Sequence, residues 1–241
     1  MCRIELGIDK VTDRHGRCVG SRLDLLAAEA EGSRNDLLVH AADTLAGGST
    51  QRKGKLFLRL VVNGTSSLLL SQSLSKLSKR LRQNVVIEIH AGEDGLSQEA
   101  IACLRGLRNL QKINLALSSS GYEWGKLKSD IKALDPEFVI IEDGLVGEMI
   151  ATRNRANLID LSEVCAKRGT RVVVNGEHSD GNQMWLMDAG VDMFMGHRYT
   201  ARISCPDLEA AAVLRRISAQ ENGELDGMMA KMGVRTALIV G

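Results

Sequence analysis

The side chains best placed to do chemistry in this 241-residue sequence follow short aliphatic runs: Asn63, Glu88, His90, Ser118, Ser119, Glu142, Asn175, Glu177, His178 and His197. They are mixed and mostly neutral. Glu88 and Glu142 with Asn63 offer oxygen ligands of the kind that suit Mg2+, but two carboxylates are thin charge for a divalent ion. Glu177-His178-Ser179-Asp180 holds the residue types of a hydrolytic triad. Sequence neighbours rarely face one another as nucleophile, base and orienting acid, so a polar loop is the better reading. Val61-Val62-Asn63-Gly64 and Val173-Val174-Asn175-Gly176 end alike, and an Asn-Gly pair also serves a tight strand exit that needs positive φ. No intact P-loop or dinucleotide glycine fingerprint occurs, and Ser118-Ser119-Ser120-Gly121 is too generic to imply a phosphate cradle. Lys76-Leu77-Ser78-Lys79-Arg80-Leu81-Arg82 keeps its leucines at i and i+4, which turns its cations to the outer face of a helix. Such a face is usually just solvated, the alternatives being phosphate or acidic-partner binding.

The elements that must carry these residues alternate. Strands are predicted at Cys2–Ile8, Cys18–Leu26, Leu56–Val62, Val85–Ile89, Ile113–Leu117, Phe138–Ile141, Arg171–Val174 and Met193–Met195. Helical periodicity falls at Asn35–Ala46, Leu68–Arg82, Ser97–Asn109, Trp124–Leu134, Leu145–Lys167, Asn182–Ala189 and Asp207–Gln220. The middle strands are continuously apolar, as strands covered on both faces should be. Thr12-Asp13-Arg14-His15-Gly16 is a turn-rich stretch with no helix, so the first two strands form an antiparallel hairpin. An α/β fold follows: a (β/α)8 TIM-like barrel with one antiparallel strand, although an open doubly wound sheet uses the same units. In a barrel, the rim residues above lie at the carboxyl ends of the strands, where barrel enzymes place their chemistry.

Composition narrows the classes. Hydrophobic residues make up 44% of the chain, enough for a sizeable core, and 31 Lys+Arg against 30 Asp+Glu leave a formal charge of +1. Nothing in that balance demands nucleic acid or an anionic membrane, and 3% aromatics suit a base-stacking surface poorly. Cys2, Cys18, Cys103, Cys165 and Cys205 are scattered without a metal spacing, which suits reduced thiols in the cytoplasm. No run approaches the about 18 apolar residues of a spanning helix.

The order of segments resembles the EAL domain, the cyclic-di-GMP phosphodiesterase barrel of bacterial signalling. The resemblance spans residues 2–206. It is carried by Gly16-Arg17-Cys18-Val19-Gly20, Val62-Asn63, Val86-Ile87-Glu88-Ile89, Leu115-Ala116-Leu117, Phe138-Val139-Ile140-Ile141-Glu142, Arg171-Val172-Val173-Val174-Asn175-Gly176, and Gly190-Val191-Asp192 followed by Gly196. It implies a site that holds two divalent metals through acidic residues and an Asn. This chain departs from that pattern at most positions. Arg22-Leu23-Asp24 stands where the signature Glu-Ala-Leu is expected, and Leu26 replaces an Arg that would meet phosphate. Asn63 and Glu88 are retained, whereas Ala91 stands for a second Glu. Ser118-Ser119 replace an Asp-Asp pair, Ile140 the catalytic Lys, Glu142 the following Asp and Asn175 the late Glu. Met195-Gly196-His197 takes the place of a Gln-Gly-Tyr-like stretch. The segment from Leu26 to Asn63 is also shorter than the family's, with one helix rather than two, which leaves the barrel wall open or eroded there.

These departures predict a degenerate, non-catalytic EAL-like barrel over 1–206 with a helix and tail over 207–241. Arg22, Asn63, Glu88, Ser118, Ser119, Ile140, Glu142 and Asn175 are its vestigial pocket, with no cofactor or metal expected. The expected role is regulatory binding of another protein, with Lys76, Lys79 and Arg80, or the helix Asp207–Gln220, as the contact. A homodimer is implied by the resemblance alone. The alternatives are a cyclic-di-GMP receptor without turnover, which the missing Arg and signature argue against, and a barrel enzyme with altered chemistry on Glu88, His90, Glu142, Glu177 and His178.

Overall fold

Parity of side chains along the strands decides this fold. A computed structural model describes residues 3–28, 38, 39, 42, 54–61, 83–90, 95–176 and 178–204. Strands β1 (Arg3–Asp13), β2 (Cys18–Ala28), β3 (Lys55–Val61), β4 (Val85–His90), β5 (Asn114–Ser118), β6 (Phe138–Ile141), β7 (Arg171–Asn175) and β8 (Met193–Ser204) close into a barrel in sequence order. β1 runs antiparallel to both β2 and β8, and every other neighbouring pair is parallel. The predicted barrel with its reversed hairpin strand is therefore the observed one. Helices α1 (Gln98–Gln111), α2 (Trp124–Leu134), α3 (Asp143–Thr152), α4 (Ala156–Ala166) and α5 (Asp180–Asp188) lie outside it. None of the described helices is long and apolar enough to cross a membrane.

Outward-facing Ile87, Leu115, Val139 and Val174 pack with the helices' Leu104, Ile131, Leu161 and Leu186 in one large apolar cluster. Inward-facing Val11, Phe57, Val86, Ala116, Phe138, Ile140, Val173, Met193 and Met195 form a second cluster that plugs the barrel. Phe57 and Phe138 meet edge to face with centroids 5.0 Å apart, and the Arg171 guanidinium lies 4.4 Å over the Phe138 ring at the lower mouth. Two residues further up the strands, the same inward parity reaches polar side chains.

Three expectations need correction. The predicted helix Leu145–Lys167 is two helices, because Arg153 turns left-handed at φ 52° and the Asn154 side chain accepts from Ala156 N to start the second. β8 runs on to Ser204 rather than stopping at Met195, since it pairs along the whole of β1. The wall between β2 and β3 is closed rather than open: Gly20–Leu23 pair with Lys55–Leu58. Closure there needs glycine, because a Cβ on Gly20 would lie 2.3 Å from the Lys55 carbonyl oxygen. Above Leu23 the β2–β3 register ends, and among the described residues β2 continues against β1. The predicted helix Leu68–Arg82 and the region 207–241 lie outside the described residues. Leu38, Val39 and Ala42 are helical and buried, as expected for the helix predicted over Asn35–Ala46.

Candidate functional site

Alternation along β2 turns Arg22 into the barrel, in register with Asp9 of β1 and Phe57 of β3. Its side chain is fully buried. Nε donates to Glu88 Oε2 at 2.7 Å and Nη2 to Glu88 Oε1 at 2.6 Å, a forked pair. Nη2 also reaches Glu142 Oε1 at 3.4 Å, so one nitrogen bridges the two carboxylates. Nη1 makes no hydrogen bond and faces Asp9 Oδ2 at 3.6 Å. Asp9 has further interactions beyond this one.

The carboxylates are held in turn. His90 Nε2 lies 2.6 Å from Glu88 Oε1, where the ring N–H donates. Ser118 Oγ donates to Glu142 Oε1 and Asn175 Nδ2 to Glu142 Oε2, each at 2.7 Å, while Ser119 Oγ accepts from Glu142 N at 3.0 Å. Arg59 of β3 enters from the side, 3.8 Å from Glu88 and 3.7 Å from Asp24. Burial alone would raise the Glu88 carboxyl, but the Arg22 charge, with hydrogen bonds from His90 and Arg22, holds it down at about 2. Burial likewise opposes the Arg22 charge, and Glu88 overrides it, so the guanidinium is held above its usual range.

The loops above the site are tied to α2. Asp130, buried at mid-helix, accepts from Leu96 N at 2.8 Å, from Tyr122 Oη at 3.1 Å and from Lys126 Nζ at 2.8 Å. This clamps the segments after β4 and β5 onto one helix. Burial, then Asp130, raises the Tyr122 hydroxyl far above its usual range, so it is a permanent donor. Gly176 leaves β7 at φ 120°, where a Cβ would press within 2.3 Å of Asp143 Oδ1. The Asn-Gly pair is thus both turn and site, since Asn175 holds Glu142.

Of the sequence-predicted rim, Glu88, His90, Ser118, Ser119, Glu142 and Asn175 come together with Arg22. Ile140 is one layer lower, buried in the barrel plug. His178 stands apart, its Nε2 buried without a hydrogen bond. Asn63, Glu177, Lys76, Lys79 and Arg80 lie outside the described residues. Asp9, Asp24 and Arg59 were not anticipated. The carboxyl-end rule misses Asp9 on a reversed strand, whereas inward parity with Val11 and Phe57 finds Asp9 and Arg59.

A metal does not fit these residues. Glu88, His90 and Glu142 offer ligand atoms within 4.8 Å of one another. The space between them is taken by the Arg22 nitrogen, whose fixed charge would repel a divalent ion and whose forked pair uses both Glu88 oxygens. Ser118 and Ser119 add no negative charge, so the ligand set is poor even without the arginine.

No model of a known protein family matches the sequence, and no curated protein matches it. Solved structures do. A standalone EAL protein from Vibrio cholerae with cyclic-di-GMP bound is 11% identical, superposing with a TM-score of 0.63 over 80% of this chain and 89% of that one. An EAL domain protein from Listeria monocytogenes is 15% identical, with a TM-score of 0.62 over 79% of this chain and 85% of that one. A Klebsiella pneumoniae protein in complex with manganese and cyclic-di-GMP is 19% identical, with a TM-score of 0.62 over 84% of this chain and 59% of that one. The chain has the fold of EAL domains.

Proposed function

We propose that this chain is a catalytically inactive EAL-like domain that regulates bacterial signalling by binding another protein. One observation carries the loss of catalysis: Arg22 Nη2 bridges Glu88 and Glu142, so an internal guanidinium occupies the space between the carboxylates that a metal centre would need. Without metal to activate water, the layer has no matched acid, base and nucleophile for phosphodiester cleavage. Arg22, Glu88, Ser118, Ser119, Glu142 and Asn175 hold the strands of the rim in place and leave the outer surface to do the work. The basic segment with Lys76, Lys79 and Arg80 is the contact proposed from sequence.

The test combines two measurements on the full chain. Incubation with cyclic-di-GMP and Mg2+ or Mn2+ gives no hydrolysis product, and neither ion raises the Tm. Affinity capture with the purified chain yields a stoichiometric protein partner, lost on charge reversal at Lys76, Lys79 and Arg80 if that segment is the contact. Metal-dependent turnover would overturn the first half, and absence of any partner the second.

A second reading, a cyclic-di-GMP receptor without turnover, is favoured by Arg59. The Arg expected to meet phosphate is Leu26, which is 40% exposed, but Arg59 on the neighbouring strand presents a guanidinium at the same rim with 30% of its side chain exposed. Calorimetry with the dinucleotide separates the readings. Micromolar or tighter binding that Arg59→Ala abolishes selects the receptor.

A further inference from the structure

The barrel's helices run opposite to its parallel strands, so α2 and α4 end near the lower mouth, away from the Arg22 layer. Along their seam α2 contributes Lys128 and Lys132, one turn apart, and α4 contributes Asp160, Val164 and the cap residue Lys167. Between the helix ends lies a groove of about 530 Å³ lined by Lys132, Asp135, Val164, Lys167 and Arg168. One of its cations is satisfied, since Arg168 Nη1 lies 3.1 Å from Asp135 Oδ1, and beside the groove Lys128 donates to Asp160. Lys132 and Lys167 are exposed and make no ion pair among the described residues.

Asp160 is an internal sample of what this surface takes. A hydrogen bond and the charge of Lys128, with added charge from Lys132 and Lys167, hold its carboxyl below the usual range. Lys128 bonds this carboxylate directly, while Lys132 and Lys167 reach it only through longer-range attraction. Cations at helix C-termini are favourable, so the excess is carried at little cost while the groove is empty. The lining is mostly charged, with Val164 its one apolar residue, so it suits a charged segment better than an apolar one. The groove lining contains no aromatic ring on which a base could stack.

We infer that the α2–α4 groove docks an acidic segment of a partner protein, with Lys132 and Lys167 taking its carboxylates. The inference rests on the protein-binding reading above and names contact residues other than Lys76, Lys79 and Arg80.

The experiment uses the full chain and a fluorescein-labelled peptide of alternating Glu and Ala, followed by anisotropy. The peptide binds, binding weakens as salt shortens the screening length, and a Gln-for-Glu peptide does not bind. Lys132→Glu with Lys167→Glu lowers the affinity by about tenfold or more, while the charge-matched control Arg105→Glu/Lys112→Glu, on the exposed side and cap of α1, leaves it unchanged. Circular dichroism of each variant confirms the fold. Equal loss in both variants, or in neither, overturns the inference. Stronger binding of an oligonucleotide of matched charge, also lost in the Lys132/Lys167 variant, overturns the choice of a protein occupant. A captured partner that ignores Lys132 and Lys167 refutes the groove and leaves the protein-binding reading standing. Peptide binding without any captured partner does the reverse.

Discussion

The interior of the barrel divides into two halves built on opposite principles. Below, Phe57, Phe138, Val86, Val173, Met193 and their neighbours fill the space with apolar volume. Above, on the same strands and with the same parity, Arg22 gathers Glu88, Glu142 and Asp9. Apolar packing is non-directional and tolerates any partner of the right size, whereas the charged layer is stable only while every member is present. Substitution experiments can separate the two.

The largest effect is expected below. Phe138→Ala costs about 3–5 kcal/mol in urea unfolding, and adding Phe57→Ala deepens the loss, because removing a neighbour enlarges the void. Arg22→Met leaves Glu88 buried with only the His90 hydrogen bond and the more distant Arg59, and costs about 3 kcal/mol, but the double variant Arg22→Met/Glu88→Leu recovers most of it. Recovery in the upper half and accumulation in the lower is the result that establishes the comparison. Equal accumulation in both would show that the upper layer packs like the lower.

Titration sharpens the contrast. The Glu88 carboxyl sits at about 2 in the folded chain against an ordinary value of 4.5. Its contribution is therefore full above about pH 4.5 and lost as pH falls towards 2. Wild type should lose stability across that window more steeply than Arg22→Met/Glu88→Leu, as followed by thermal unfolding at stepped pH. Asn175→Ala removes a hydrogen bond to a charged group and is expected to cost about 1.5 kcal/mol. Smallest is Arg171→Met at the lower mouth, about 0.5–1 kcal/mol from the lost cation–π contact.

How far this was legible in the sequence follows the same division. Continuous aliphatic runs such as Phe138–Ile141 and Arg171–Val174 announce buried strands, and Thr12–Gly16 announces the hairpin, because burial and turn chemistry are local properties. The departures at Arg22, Ser118 and Asn175 mark an altered site, but residue type alone does not say that Arg22 would reach across to Glu88. That contact joins residues 66 apart and depends on barrel closure. The break at Arg153 was hidden for a related reason. No Gly or Pro marks it, and the Asn154 cap works only once α3 has ended. Likewise the length of β8 is set by its partner β1 rather than by its own composition.

The placement of β1 between its hairpin partner β2 and the last strand has a consequence for biogenesis. Thr12 Oγ1 donates to the carbonyl of Phe194, 182 residues later. At a synthesis rate of about 5–20 residues per second, the outer edge of β1 waits roughly 10–40 s for its partner while the rest of the chain emerges. An unpaired edge of that length is a template for pairing with other nascent chains, so this protein should benefit from a holding chaperone during translation.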